Sequence, residues 1–205
     1  EAALFYNVIT DTLVQLPFTN DLQNIFINSA NSRSYGFDLG LRIDSNAYID
    51  SAYNWYGQAG YNYTLAEFTE GITDGNRVPE IPEHNAAITL GLEHTSGWDV
   101  SATVSHFGSF FTDPNNTEAL TVANEDGDIL NAGDDLEIRE PIVLGIVKSH
   151  TLLSARASYT PPSYDNVTFW VQGRNLLDKL YIVDLENGVR PGAELTVVGG
   201  FRLEF

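Results

Sequence analysis

Residues 194–205 run ELTVVGGFRLEF, and this stretch constrains the fold more than any other. Leu195, Val197, Gly199, Phe201, Leu203 and Phe205 fall at odd positions, and Glu194, Thr196, Val198, Gly200, Arg202 and Glu204 at even ones. Side chains alternate across a strand, so one face is almost wholly apolar and the other mostly polar or small. Strands of soluble domains are commonly about 5–6 residues long, whereas a tilted strand needs roughly 9–11 residues to cross a bilayer. An edge strand of a soluble sandwich would be short or charged to block pairing. The stretch predicts the closing strand of an outer-membrane β-barrel, with an aromatic at its end.

The same alternation recurs along the chain. Tyr35, Phe37, Leu39, Leu41 and Ile43 oppose Ser34, Gly36, Asp38, Gly40 and Arg42. The next segment sets Tyr53, Trp55, Gly57, Ala59, Tyr61, Tyr63 and Leu65 against polar and small residues. Its aromatics lie near both ends, as in the aromatic girdles of membrane barrels. Later segments put Ile88, Leu90 and Leu92, then Val100, Ala102 and Val104, then Leu153, Ala155 and Ala157, on one face. Residues 1–16 read as two β-rich segments turning near Thr10 and Asp11. Short turns are expected near residue 10, at 44–52, 95–97 and 161–165, and long connections at 17–24, 66–85, 112–149 and 178–193. Barrels of the bacterial outer membrane place short turns on the periplasmic side and long loops outside. The count is about nine antiparallel strands, joined up and down.

No run approaches the length of an apolar helix that could span a bilayer, and barrel strands hide their apolar residues at every second position. The net charge of −18 excludes nucleic acid as a partner, because phosphate binding needs clustered Lys and Arg. There is no cysteine, and hence no disulfide framework or thiolate metal site. The chain also lacks methionine and a signal-like start, which predicts a processed chain or part of a longer one. His84, His94, His106 and His150 are dispersed without metal-ligand spacing, no nucleophile elbow is present, and no enzyme activity is expected. The acidic run 124–137 lacks the ligand order of a calcium loop and reads as solvated. No cofactor is therefore expected, with loop Ca²⁺ as the weaker alternative.

Seven short stretches occur in the order of a known family. They are NSANSRSYGFDLGLRI (28–43), GYNYTLAEF (60–68), NRVPEIPEHNAAITLGLEH (76–94), FGSFFTDPNNTE (107–118), GIVKSHTLLSARASY (145–159), VTFWVQGRNLLDKLY (167–181) and GGFRLEF (199–205). On these the chain resembles the C-terminal barrel portion of TonB-dependent outer-membrane receptors, in the ferric-citrate and siderophore branch. The resemblance implies an all-β, antiparallel up-and-down transmembrane β-barrel of about 22 strands, of which residues 1–205 supply the last part. It implies a plug domain outside this chain, either upstream or on a separate chain of a split receptor. It implies active uptake of a ferric siderophore or similar metal chelate, with the TonB system, membrane lipid and the barrel-assembly machinery as partners. Phe201, Leu203 and Phe205 would form the assembly signal.

The candidate ligand-binding residues are Arg77, Arg139 and Arg190 in outer loops, Arg156 and Arg174 on the lumen face, and Phe110 and Phe111 near the rim. Phe110, Phe111 and Tyr181 could instead belong to the aromatic girdle, which is the reading favoured for most of them. Arg156 and Arg174 are expected to point inward, and Phe169, Val171, Leu203 and Phe205 toward lipid. Loops 66–85 and 112–149 are expected outside the cell. A passive porin-like or structural barrel, or a soluble carbohydrate-binding β-sandwich, remain the alternatives.

Overall fold

The structure, a computed structural model, describes residues 1–16, 25–119, 121–123, 142–185 and 189–204. The chain order begins β1 (Ala2–Leu16), β2 (Ile25–Asp44), β3 (Tyr53–Phe68), β4 (His84–His94) and β5 (Trp98–Phe107). Short segments β6 (Phe110–Phe111), β7 (Thr121–Ala123), β8 (Ile142–Leu144) and β9 (Ile146–Val147) follow. The chain then forms β10 (His150–Tyr159), β11 (Val167–Arg174), β12 (Ile182–Asp184), β13 (Arg190–Pro191) and β14 (Thr196–Leu203). The main sheet has 8 strands in the order β1-β2-β3-β4-β5-β10-β11-β14, each antiparallel to its neighbours. Three two-stranded pairs, β6-β9, β7-β8 and β12-β13, decorate one end of it.

Register joins the alternating faces into one surface. Leu41 pairs with Ala59, Ala59 with Ile88, Leu90 with Ala102, Ala102 with Ala155, Ala157 with Val171, and Phe169 with Phe201. Every member of that chain of pairs is apolar. One residue over, Asp38 pairs with Asn62, Thr89 with Thr103, Arg156 with Gln172, and Thr168 with Arg202. A register slip by one residue would exchange the two faces.

Solvent exposure inverts the usual arrangement. Among the described residues the buried hydrophobics are Ala66, Phe68, Val147 and Leu185. Leu41, Trp55, Leu90 and Phe201 are instead 59–66% exposed, all on the apolar face. A soluble domain of this size does not leave so large an apolar surface uncovered. No second sheet of comparable size packs on the first among the described residues.

The apolar band has a sharp edge. From Tyr35 to Ile43 the strand climbs roughly 26 Å, which a barrel tilt reduces toward the roughly 25 Å height of an outer-membrane apolar band. Directly beyond Tyr35, the Arg33 Nε donates to Glu67 Oε1 at 2.6 Å on the same face. Asn31 Nδ2 donates to Glu70 at 2.6 Å further along. The opposite edge carries aromatics: Tyr53 lies 4.4 Å from the His94 ring, and Trp98 stacks on Tyr159 at 4.5 Å.

The polar face is knitted by its own side chains. Asn62 donates to Asp38 at 2.7 Å, the Tyr56 hydroxyl to Asp99 at 2.9 Å, and Asn54 to Glu93 at 2.9 Å. Thr89 and Thr103 share a hydrogen bond of 2.8 Å across the β4-β5 pair. Short turns close one end at 45–52, 95–97 and 160–166. Gly97 has φ +94 in the tightest of them, and a Cβ there would collide with the Thr160 carbonyl oxygen.

Three expectations are corrected. Residues 2–16 form one strand, because Asp11 takes φ 58 and the register shifts between Ile9 and Thr12 as a bulge instead of turning the chain. The main sheet therefore has 8 strands, one fewer than the sequence count. The last strand starts at Thr196, since the Leu195 amide donates to Asp178 Oδ1 at 3.0 Å and belongs to the preceding loop. Phe205 and the segment 17–24 lie outside the described residues.

Candidate functional site

The long connections leave from the end of the sheet opposite the short turns, and the described parts of 69–83, 108–119 and 175–195 meet at that rim. Two structures are built there. Each rests on an asparagine with positive φ, a conformation that asparagine tolerates better than most residues.

The first joins loop 66–85 to residues 108–119. Asn116, at φ 56, accepts from the Arg77 amide at 2.6 Å and returns its Nδ2 to the Arg77 carbonyl at 2.9 Å. The side chain thus imitates a strand partner. Asn76 Nδ2 donates to the Pro114 carbonyl at 2.8 Å, and the Glu80 amide to the Phe111 carbonyl at 2.9 Å. Asp113, only 2% exposed, accepts from the Asn115 amide at 2.9 Å and from the amide and hydroxyl of Thr117 at 3.1 and 3.2 Å. Three donors satisfy a buried carboxylate that would otherwise be costly. The two loops form one tied platform.

The second closes the connection after β11. Asn175, 3% exposed and at φ 48, donates from Nδ2 to the carbonyls of Lys179 and Ala193 at 2.9 and 3.0 Å. Its Oδ1 accepts from the Lys179 amide at 2.9 Å. Asn175 therefore sews together the two ends of the loop, with Asp178 holding Leu195 beside it. From this base Tyr181 reaches β10 and stacks on His150 at 4.4 Å, while Ile182 and Leu185 pack with Phe110 and Val147.

The candidate residues separate into distinct environments. Arg77 lies in the platform and forms an ion pair with Glu83. Arg190 pairs with Asp184 at 3.6 Å. Arg156 and Arg174 share the polar face of β10 and β11, both exposed and neither with a carboxylate partner among the described residues. The Arg156 guanidinium sits 5.8 Å from the Trp170 ring centroid, a cation–π geometry that orients it along the wall. Phe169, Val171, Phe201 and Leu203 lie on the opposite, apolar face.

Phe110 is neither a girdle aromatic nor a free rim contact, because it packs into the small cluster of Val147, Leu185 and Ile182. Phe111 pairs with Ile146, and Tyr181 faces His150. Arg77 and Arg190 are each held by a loop carboxylate, Glu83 and Asp184, while Arg156 and Arg174 stand on the wall. Arg139 and the acidic run 124–137 lie outside the described residues. Among the described residues no group of three or more His, Asp or Glu could hold a metal ion. Sequence reading missed Asn116 and Asn175. Their signal was an asparagine in a turn-rich segment, but partners as far as 39 residues away are invisible to local pattern.

Residues 1–176 match the family described as TonB dependent receptor-like, beta-barrel. Comparison with curated proteins gave no match. Among solved structures, the chain is similar to the ferric citrate transporter FecA in its unliganded form, with 23% identity and TM-score 0.68, over 98% of this chain and 28% of that one. It is similar to the ferric yersiniabactin uptake receptor FyuA of Yersinia pestis, with 17% identity and TM-score 0.64, over 100% and 27% of the two chains. It is also similar to the siderophore receptor PiuA of Acinetobacter baumannii, with 19% identity and TM-score 0.64, over 98% and 25%. The chain thus spans about a quarter of the length of these proteins, and the likeness shows a shared fold.

Proposed function

The chain belongs to the TonB-dependent receptor-like β-barrel family, and from that premise we propose that it forms part of the wall of a receptor for active uptake of a ferric siderophore or similar metal chelate. Its place is the bacterial outer membrane, as for the family. The apolar face meets lipid, the polar face lines the lumen, and the long-loop rim faces outward. The observation that carries the reading is the family match over residues 1–176, joined to a wall whose two faces are sorted as a membrane barrel requires.

The whole receptor needs parts beyond the segment that this sequence matches. A plug gates the lumen, the remaining strands complete the barrel, and the TonB system supplies energy. The assembly machinery inserts the barrel, reading Phe201, Leu203 and Phe205 as its signal. Iron chelates are the favoured cargo because the neighbouring structures include a ferric citrate transporter and siderophore receptors.

Arg156 and Arg174 are the two lumen-facing cations best placed to meet an anionic chelate in transit. A hydrogen bond to a charged group is worth about 1.5–3 kcal/mol, so losing both contacts should be clearly visible. Arg156→Gln/Arg174→Gln is expected to lower uptake of an anionic ferric chelate at least about tenfold, with the barrel still assembled. The check is uptake of iron-labelled chelates by cells producing the full receptor, with and without TonB. Unchanged uptake would assign the arginines to contacts with the plug. Uptake that persists without TonB would favour a passive, porin-like barrel and overturn the transport reading.

A further inference from the structure

His150 heads β10 on the polar face, opposite Phe107 of β5. Its ring lies 5.1 Å from Phe107 at an interplanar angle of 24°, and 4.4 Å from Tyr181 at 28°. The residue is 9% exposed. Phe107 is part of the wall, whereas Tyr181 belongs to the segment that follows Asn175. The imidazole is therefore the layer between the wall and that segment. We propose that His150 is a pH-operated clasp: neutral, it docks the stretch Leu180–Tyr181 against the wall, and acidification of the medium releases it.

The surroundings favour the neutral ring. Its recorded polar contact is long, Nδ1 to the Lys148 carbonyl oxygen at 3.5 Å. An imidazolium carries two N–H donors, and no carboxylate pairs with His150 among the described residues. The charged and titratable groups around it are Lys179 on the docked segment, His106 on β5, and Lys148, two residues before it in the chain, with Tyr181 as the stacking partner. His150 precedes Leu153, the first large apolar-face residue of β10, and so lies beyond the membrane-crossing part of the strand.

Burial lowers the His150 pKa below the ordinary imidazole value, Lys179 and His106 push it the same way, and the Lys148 carbonyl opposes them. Attraction of a cation to the two ring faces also opposes release. It does not replace the hydration that burial takes from the charged ring. Because the docked pKa is depressed, docking is at full strength above the ordinary value of about 6.5 and weakens as pH falls through the docked value. Two further attachments, the Asn175 base and the Ile182–Leu185 packing, confine the release to the segment between them.

The test uses the full receptor assembled in outer membranes, with a spin label on Leu180→Cys. Leu180 is 83% exposed and adjoins Tyr181, these 205 residues contain no other cysteine, and the remaining segments of the receptor are made cysteine-free. Between about pH 7.5 and 4.5 the mobile fraction of the label should rise severalfold. His150→Phe and His150→Tyr, which keep a stacking ring without its titration, should hold the label immobile throughout. Tyr181→Ala should make it mobile at both ends, and His106→Asn should retain the transition. No rise on acidification, or the same rise in both His150 variants, would overturn the proposal. The readout contains no ligand, so its failure is distinct from failure of the transport reading.

Discussion

Leu90→Arg/Ala102→Arg is expected to abolish accumulation of the folded barrel in the outer membrane, whereas Thr89→Arg/Thr103→Arg is expected to leave it assembled. Both variants put two arginines on directly paired positions of β4 and β5. They differ by one residue step, and therefore by face. Leu90 is 66% exposed on the apolar face and sits near the middle of its strand. An arginine at the lipid midplane costs roughly 2–4 kcal/mol, and a second one directly opposite adds a comparable cost and like-charge repulsion. That sum approaches the whole stability of an ordinary domain, about 5–15 kcal/mol. On the polar face the same side chains reach water, and the change loses one hydroxyl–hydroxyl bond between Thr89 and Thr103. Heat-modifiable migration of the outer-membrane fraction measures both. Equal accumulation of the two pairs would refute the assignment of faces.

Asn175→Ala should have the second largest effect, confined to the rim. It removes bonds to Lys179 and Ala193, and it asks alanine to hold φ 48. Stranding buried carbonyls costs roughly 1–3 kcal/mol, and the left-handed backbone adds about 1 kcal/mol or more. The expected outcome is a barrel that still inserts but whose segment 175–195 is cut rapidly by protease from outside the cell. Asn175→Gly relieves the backbone and not the lost bonds, so it should recover only part of the protection. Protection equal to the parent protein in Asn175→Ala would show that the loop is held by Tyr181 and the Leu185 packing alone.

The faces of the sheet were legible in the sequence because period-two patterning carries one bit per residue, and β3, β4 and β5 spend it without interruption. Trp55, Leu90 and Val100 could be assigned to the apolar face before any pairing was known. Register adds only which strand meets which. The failures have local causes. Thr10 and Asp11 have the composition of a turn, yet the long pairing of β1 with β2 absorbs Asp11 as a bulge. Glu194 and Leu195 continue the alternation of the last strand, but the Asp178 carboxylate captures the Leu195 amide first.

The rim was much less legible. Phe110 and Tyr181 look like girdle residues because aromatics near strand ends usually are. Their actual partners, Val147 with Leu185 and His150, come from segments brought close only by the sheet. Arg77 reads from the sequence as an outer-loop cation suited to an anionic chelate, and its pairing with Glu83 follows a loop path that no periodicity encodes. The NLLDKLY stretch belongs to one of the seven stretches on which the resemblance rests. Within it Asn175 closes the loop on itself, which only the hydrogen bonds reveal.

The central claim is that one face of this sheet contacts lipid and the other the lumen, and a nitroxide scan measures it most directly. These 205 residues contain no cysteine, so in a receptor whose other segments are cysteine-free each label introduced along β5 and β10 reports alone. In the assembled receptor, labels at Val100, Ala102 and Val104, and at Leu153, Ala155 and Ala157, should collide preferentially with oxygen dissolved in lipid. Labels at Ser101, Thr103 and Ser105, and at Ser154, Arg156 and Ser158, should collide preferentially with a water-soluble nickel chelate or lie shielded from both. The account predicts alternation with period two in this phase on both strands. The opposite phase, or accessibility that does not alternate, would contradict it.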